Sequence, residues 1–76
     1  MIYVYGTEQC QYCDKAKALL EEKELDFKYY EITGDEELLK FMRDRGHATV
    51  PQVYFHSSQG DMIHWGGYTD LKARIS

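Results

Sequence analysis

The chemistry this chain can do is concentrated in Cys10 and Cys13, its 2 cysteines, spaced C-x-x-C. A permanent disulfide across so short a loop restrains the unfolded chain little, and reducing compartments disfavour structural disulfides, so a staple explains the pair poorly. Reversible thiol chemistry or metal ligation remains. Thiol–disulfide exchange needs one thiolate as nucleophile and a second thiol near enough to attack the mixed disulfide that forms. Zinc would need two further ligands. His47, His56 and His64 are available, but no two stand at H-x3–5-H spacing, and there is no second C-x-x-C. The spacing therefore favours redox chemistry without a bound metal. The alternative of another class is a binding module whose cysteines hold zinc or bridge an iron–sulfur cluster between two copies.

The elements that position the pair can be read outward from it. Ile2, Tyr3, Val4 and Tyr5 are β-branched or aromatic and run into Gly6-Thr7-Glu8-Gln9, a short buried strand ending in a loop just before Cys10. Residues 12–23 lack Gly and Pro, and Cys13, Ala16, Leu19 and Leu20 recur among Lys and Glu at helical spacing. Cys10 then sits at a helix N-terminus, where unpaired N–H groups and a partial positive charge favour a thiolate. Cys13 follows one turn later, placed to resolve.

Residues 25–32 alternate, with Leu25, Phe27 and Tyr29 on one face and Tyr30 and Ile32 on the other, which predicts a strand. Thr33 followed by Glu36 matches a capping box and predicts the start of a second helix, with Leu38, Phe41 and Met42 as its apolar stripe and Gly46 as its stop. Val50 to Phe55 and Met62 to Trp65 read as a hairpin around Ser57-Ser58-Gln59-Gly60-Asp61, Pro51 marks an edge or a turn, and Gly66-Gly67 ends the unit. Thr69 is placed to cap a last helix that buries Leu71 and Ile75. The predicted order is β-α-β-α-β-β-α, an α/β fold, within one domain over residues 1–76.

Composition narrows the partners. The formal charge of −4 comes from 13 acids and 9 bases that are interspersed along the chain, which argues against nucleic acid or an anionic membrane surface. No apolar run approaches a bilayer span, and the first residues lack a signal-peptide pattern, so a cytoplasmic protein is expected. Tyr3, Tyr5, Tyr29, Tyr30, Phe41 and Phe55 are expected in the core or half-buried on the sheet. The histidines are expected on the surface, and Trp65 over the open face of the hairpin or in a partner surface.

Three motifs in register then carry a resemblance: Cys10-Gln11-Tyr12-Cys13, Thr49-Val50-Pro51-Gln52 and Gly66-Gly67-Tyr68-Thr69-Asp70-Leu71. Over residues 2–71 the chain resembles the dithiol glutaredoxins of the thioredoxin-like superfamily, in their small phage and bacterial form. That resemblance implies a central four-stranded mixed sheet flanked by helices, and a monomer that uses glutathione as co-substrate with no bound cofactor. It implies Cys10 as nucleophile and Cys13 as resolving thiol, acting on protein disulfides or glutathione mixed disulfides, with ribonucleotide reductase among the candidate partners.

The resemblance also implies a cis proline at Pro51 beside the active cysteine, with the Val50 backbone pairing to the glutathione cysteinyl segment and Thr49 among the glutathione-binding residues. Gly67, Thr69 and Asp70 would take its γ-glutamyl end, and Tyr12 would stack on it. Glutaredoxin potentials of about −200 to −230 mV would suit a cytosolic glutathione pool as reductant. Two departures stand out. Gln11 replaces the proline that many members carry between the cysteines, and Thr7-Glu8 replaces a lysine before Cys10, leaving Arg43, Arg45 and His47 as nearby cations. The missing lysine favours a rival reading, a redoxin reduced directly by thioredoxin reductase; the Gly-Gly-Tyr-Thr-Asp turn favours glutathione.

Overall fold

A computed structural model describes residues 1–75. The elements run β1 (Ile2–Gly6), α1 (Gln11–Glu22), β2 (Phe27–Glu31), α2 (Glu36–Asp44), β3 (Gln52–His56), β4 (Met62–Gly66) and α3 (Tyr68–Ile75). They form one four-stranded sheet in the order β2-β1-β3-β4. β1 pairs parallel with β2 and antiparallel with β3, and β3 pairs antiparallel with β4. This is the mixed, helix-flanked sheet of the thioredoxin-like fold expected from the sequence.

Strand alternation sorts the core into two layers, one on each face. Ile2, Val4 and Val53 turn to one face, where Ala16, Leu20 and Leu71 bring α1 and α3 against them. Tyr5 and Tyr54 turn to the other, where Met42 of α2 and Ile32 close over them. In α1 the buried residues are Cys13, Ala16 and Leu20, at helical spacing, so the stripe that fastens the helix to the sheet also carries the second cysteine. Trp65 stacks on Phe55 with ring centroids 5.1 Å apart and belongs to the first layer.

Four element starts differ from the sequence expectation, and the simplest is β3, which begins at Gln52 and not at Val50 because the cis Val50-Pro51 peptide precedes it. The second helix is capped by Asp35, whose Oδ1 accepts the Leu38 N–H at 3.0 Å, while Thr33 donates its own N–H to Glu31 Oε1. Thr33 is thus in the turn and not at the cap, because a carboxylate two residues later meets the free N–H groups. β2 begins at Phe27, since Leu25 still belongs to the end of α1: its N–H bonds the Leu20 carbonyl across a left-handed Glu24 at φ 56°. The last helix begins at Tyr68, its first turn closed by Leu71 N–H to the Gly67 carbonyl at 3.0 Å. Thr69 lies inside that turn and is not its cap. The stop at Gly46 is as expected, with φ +75° and His47 N–H bonded to the Met42 carbonyl at 2.9 Å.

Candidate active site

Cys10 is the N-cap residue of α1, in extended conformation, and its Sγ accepts the Cys13 N–H at 3.0 Å. An N-cap side chain normally supplies an oxygen for this contact; here the acceptor is a sulfur. The two cysteines are joined as a disulfide with Cα atoms 5.1 Å apart. They are not equivalent. Cys13 is fully buried, whereas Cys10 is partly exposed, so an incoming sulfur can reach Cys10 Sγ and is shielded from Cys13.

Gly6, the last residue of β1, makes room for the inner sulfur. A Cβ at this position would come within 2.5 Å of both Cys13 Sγ and Tyr29 Oη. The Tyr29 hydroxyl in turn donates to the Thr7 carbonyl at 3.0 Å and so fastens the loop that leads to Cys10. Burial, reinforced by Glu31 and Asp14, pushes the Tyr29 hydroxyl above its ordinary value, so it remains a donor at neutral pH.

Opposite Cys10 lies the segment that precedes β3. The Val50-Pro51 peptide is cis, and the Val50 carbonyl oxygen is 3.8 Å from Cys10 Sγ. Beyond it opens a cavity of about 470 Å³ whose wall includes all 7 ligand-contact residues implied by the resemblance: Tyr12, Thr49, Val50, Pro51, Gly67, Thr69 and Asp70. Tyr12 is 54% exposed at the rim and leans on Tyr68, with Lys15 Nζ 5.0 Å above its ring. Asp70 Oδ2 accepts the Gly67 N–H at 3.2 Å, which fixes the carboxylate over the Gly66-Gly67 turn. Thr69 lies in the same wall, inside the first turn of α3 and without the capping role.

The same wall contains Gln52 and His64, to which the sequence assigned no role, and His47, one of the cations named beside the missing lysine. The histidines are not idle surface residues. Their rings stack 4.6 Å apart, His47 Nε2 lies 2.6 Å from the Tyr54 hydroxyl, and His64 Nε2 lies 2.7 Å from Gln52 Oε1. Burial, with His64 and Arg45 beside it, holds the His47 imidazole below its ordinary value. Arg45 sits over the Phe41 and Tyr54 rings. Arg43, by contrast, lines a larger groove of about 920 Å³ together with Thr7, Lys40 and Val50. Of the cations expected near the missing lysine, Arg43 and His47 share that groove with Thr7, as does Lys40. Among the described residues, no three His, Cys, Asp or Glu side chains converge to hold a metal ion.

A cysteine pair at the N-terminus of the first helix, facing a cis-proline segment across a thioredoxin-like sheet, defines the class of thiol–disulfide oxidoreductases. The glutaredoxin family model matches residues 2–58. Glutaredoxin 3 of Escherichia coli (strain K12) is 38% identical over 76 residues, covering 95% of this chain and 82% of its own length. The chain belongs to the glutaredoxin family, and like its relatives it is a thiol–disulfide oxidoreductase. Two solved structures share its architecture. The glutaredoxin-like NrdH-redoxin of Escherichia coli, described as having a thioredoxin-like activity profile, aligns with a TM-score of 0.77 at 22% identity, covering 99% of this chain and 93% of that one. A buckwheat glutaredoxin in complex with glutathione aligns with a TM-score of 0.76 at 19% identity, covering 96% and 66%.

Proposed function

We propose that this glutaredoxin uses glutathione to reduce protein disulfides and glutathione mixed disulfides. The Cys10 thiolate attacks one sulfur of a substrate disulfide, forming a mixed disulfide and releasing the other substrate sulfur as a thiolate that takes a proton from solvent. Cys13 then attacks Cys10 Sγ, releases the second substrate thiol and leaves the Cys10–Cys13 disulfide. One glutathione thiolate attacks the accessible Cys10 Sγ and frees Cys13. A second glutathione attacks the glutathione sulfur of that adduct, returning both cysteines to thiols and carrying two electrons' worth of oxidation away as glutathione disulfide. Ribonucleotide reductase is a candidate for the protein disulfide.

The observation that carries this reading is the cavity beside Cys10, whose wall joins the Val50 backbone to the Gly67, Thr69 and Asp70 turn. Glutathione is a γ-glutamyl tripeptide with a free ammonium and two carboxylates. Asp70 offers the ammonium a partner, and the amides at the start of α3 face the α-carboxylate. Thr7, standing where many relatives carry a cation, supports a second reading in which thioredoxin reductase delivers the electrons directly. A coupled assay comparing glutathione plus glutathione reductase with thioredoxin reductase decides between them. The expected result is faster turnover with glutathione, and efficient turnover with thioredoxin reductase alone would install the second reading instead.

A further inference from the structure

One buried polar side chain beside the cavity has no part in the chemistry above. Gln52 opens β3 directly after Pro51 and is 7% exposed. Its partners fix the orientation of its amide. Nε2 lies 3.0 Å from the Thr49 carbonyl oxygen and 3.4 Å from Thr49 Oγ1. A carbonyl only accepts, so the nitrogen must be the atom that faces it. Oε1 is thereby turned to His64, whose Nε2, at 2.7 Å, must carry a hydrogen and donate it.

His64 reaches this position because β3 and β4 shift register between Val53 and Tyr54, which sets His64 opposite Tyr54 and its ring 4.8 Å from the tyrosine ring. A polar chain therefore runs from β4 through Gln52 to the Thr49 carbonyl. The next carbonyl along, that of Val50, is the one facing Cys10 Sγ. Among the described residues, Gln52 and Cys10 are the side chains seen against the carbonyls of this segment.

We propose that Gln52, held by His64, is a positioning residue that fixes the backbone of Thr49 and Val50, so that glutathione's cysteinyl segment meets a preformed edge beside Cys10. The proposal deepens the glutathione reading and rests on it for the ligand, while the ordering of the segment is a property of the free protein. A Gln that merely satisfied itself in the core would affect stability alone. A positioning Gln affects loop order and apparent substrate affinity, and leaves the intrinsic reactivity of Cys10 in place.

Three variants test it: Gln52→Met, which keeps length but cannot hydrogen-bond; His64→Phe, which keeps a ring but cannot donate; and His64→Gln, which restores a donor. For each, amide hydrogen exchange at Thr49 and Val50 is measured, then the kinetics of deglutathionylation of a glutathionylated peptide, then the rate of Cys10 alkylation by iodoacetamide. Gln52→Met is expected to speed exchange at both amides and to raise KM about tenfold with kcat nearly unchanged, while alkylation stays within about twofold. His64→Phe should shift KM by about threefold in the same sense, since His64 is exposed and water can replace part of its contact, and His64→Gln should recover most of that loss.

Unchanged exchange at Thr49 and Val50 would overturn the proposal, as would a His64→Gln protein no better than His64→Phe. A fall in alkylation parallel to the fall in deglutathionylation would also overturn it, because Gln52 would then act on the thiol. If Gln52→Met does not fold, the two His64 variants decide by the same readouts. If the wild type reduces the glutathionylated peptide no faster than a cysteamine mixed disulfide, the glutathione reading fails, and amide exchange in the same variants still decides whether Gln52 orders the segment.

Discussion

At the scale of single residues, the division of labour proposed for the cysteines rests on one contact and one burial. The Cys13 N–H points at Cys10 Sγ at 3.0 Å, and Cys13 itself is sealed beneath Gly6. The reduced Cys10 thiol should therefore titrate well below the free value of about 8.5, because a helix N-terminal amide already faces the developing anion. Thiolate absorbance against pH measures it, and a value at or above that of a free thiol, with Cys13 lower, would reverse the roles. By the same geometry Cys13→Ser should still acquire a glutathione adduct on Cys10, visible as a mass increase of the intact protein, whereas Cys10→Ser should acquire little on Cys13.

Asp70 gives a second test at this scale. Among the described residues its carboxylate is the one acid in the cavity wall, and it is exposed, so solvent screens it, and Asp70→Ala should lower glutathione-dependent turnover by about tenfold. Because Asp70 also accepts the Gly67 N–H, a melting curve must show that the turn survives. The places of Cys10 and Cys13 at the start of α1 and of Asp70 in the cavity wall were legible in the sequence because each stands in a local motif. Gln52 and His64 were not, since their contact depends on a register shift between two strands that no local pattern announces.

At the scale of elements, the order of strands and helices was legible and several of their ends were not. Periodicity is averaged over a whole element, so α1, with Cys13, Ala16 and Leu20 inward, could be recognised without its structure. An end is settled by whichever side chain reaches the free amides first. At α2 the pattern Thr33…Glu36 offered a capping box, and Asp35 took the role instead by accepting the Leu38 N–H. The two candidates predict different mutants. Asp35→Ala should cost about 1 kcal/mol and lower Tm by about 4–8 °C, while Thr33→Ala should move it little, because the Thr33 contact uses its backbone and not its hydroxyl. Equal effects in a pair of thermal melts would mean that Thr33 shares the cap. At α3 the same competition places Asp70 over the Gly67 amide, so the acid expected to recognise a ligand also secures the turn that presents it.

At the scale of the whole molecule, the two faces of the sheet are finished with different chemistry, and that difference sets a pH window for stability. One face is closed by α1 and α3 over a buried aliphatic centre, with Phe55 and Trp65 stacked beside it. The other has α2 over a layer in which Tyr5 stacks on Tyr30 at 5.3 Å and meets Tyr54 at 5.8 Å, with His47 bonded to the Tyr54 hydroxyl. Burial, with neighbouring tyrosines adding to it, raises the Tyr5 hydroxyl above its ordinary value, and burial raises Tyr54 against the opposing pull of Arg45. A raised folded value means that the folded state holds its proton longer than the unfolded one. That contribution is therefore complete below a pH of about 10 and is lost as pH rises through the folded values.

His47 works at the other end of the window. Its folded value is depressed, chiefly by burial and then by His64 and Arg45, so the unfolded chain takes up a proton first as pH falls. Its contribution is complete above about 6.5 and is lost as pH falls through the folded value. Melting temperature against pH should accordingly form a plateau bounded by a decline below about 6.5 and another above about 10. His47→Phe removes the acid-side titration together with the bond to Tyr54, so its plateau should be lower while the slope between pH 6.5 and 5 becomes shallower. The slope carries the test, because the lost hydrogen bond shifts the curve without tilting it. An unchanged slope would place the acid-side loss elsewhere and leave His47 as a packing residue of the second face.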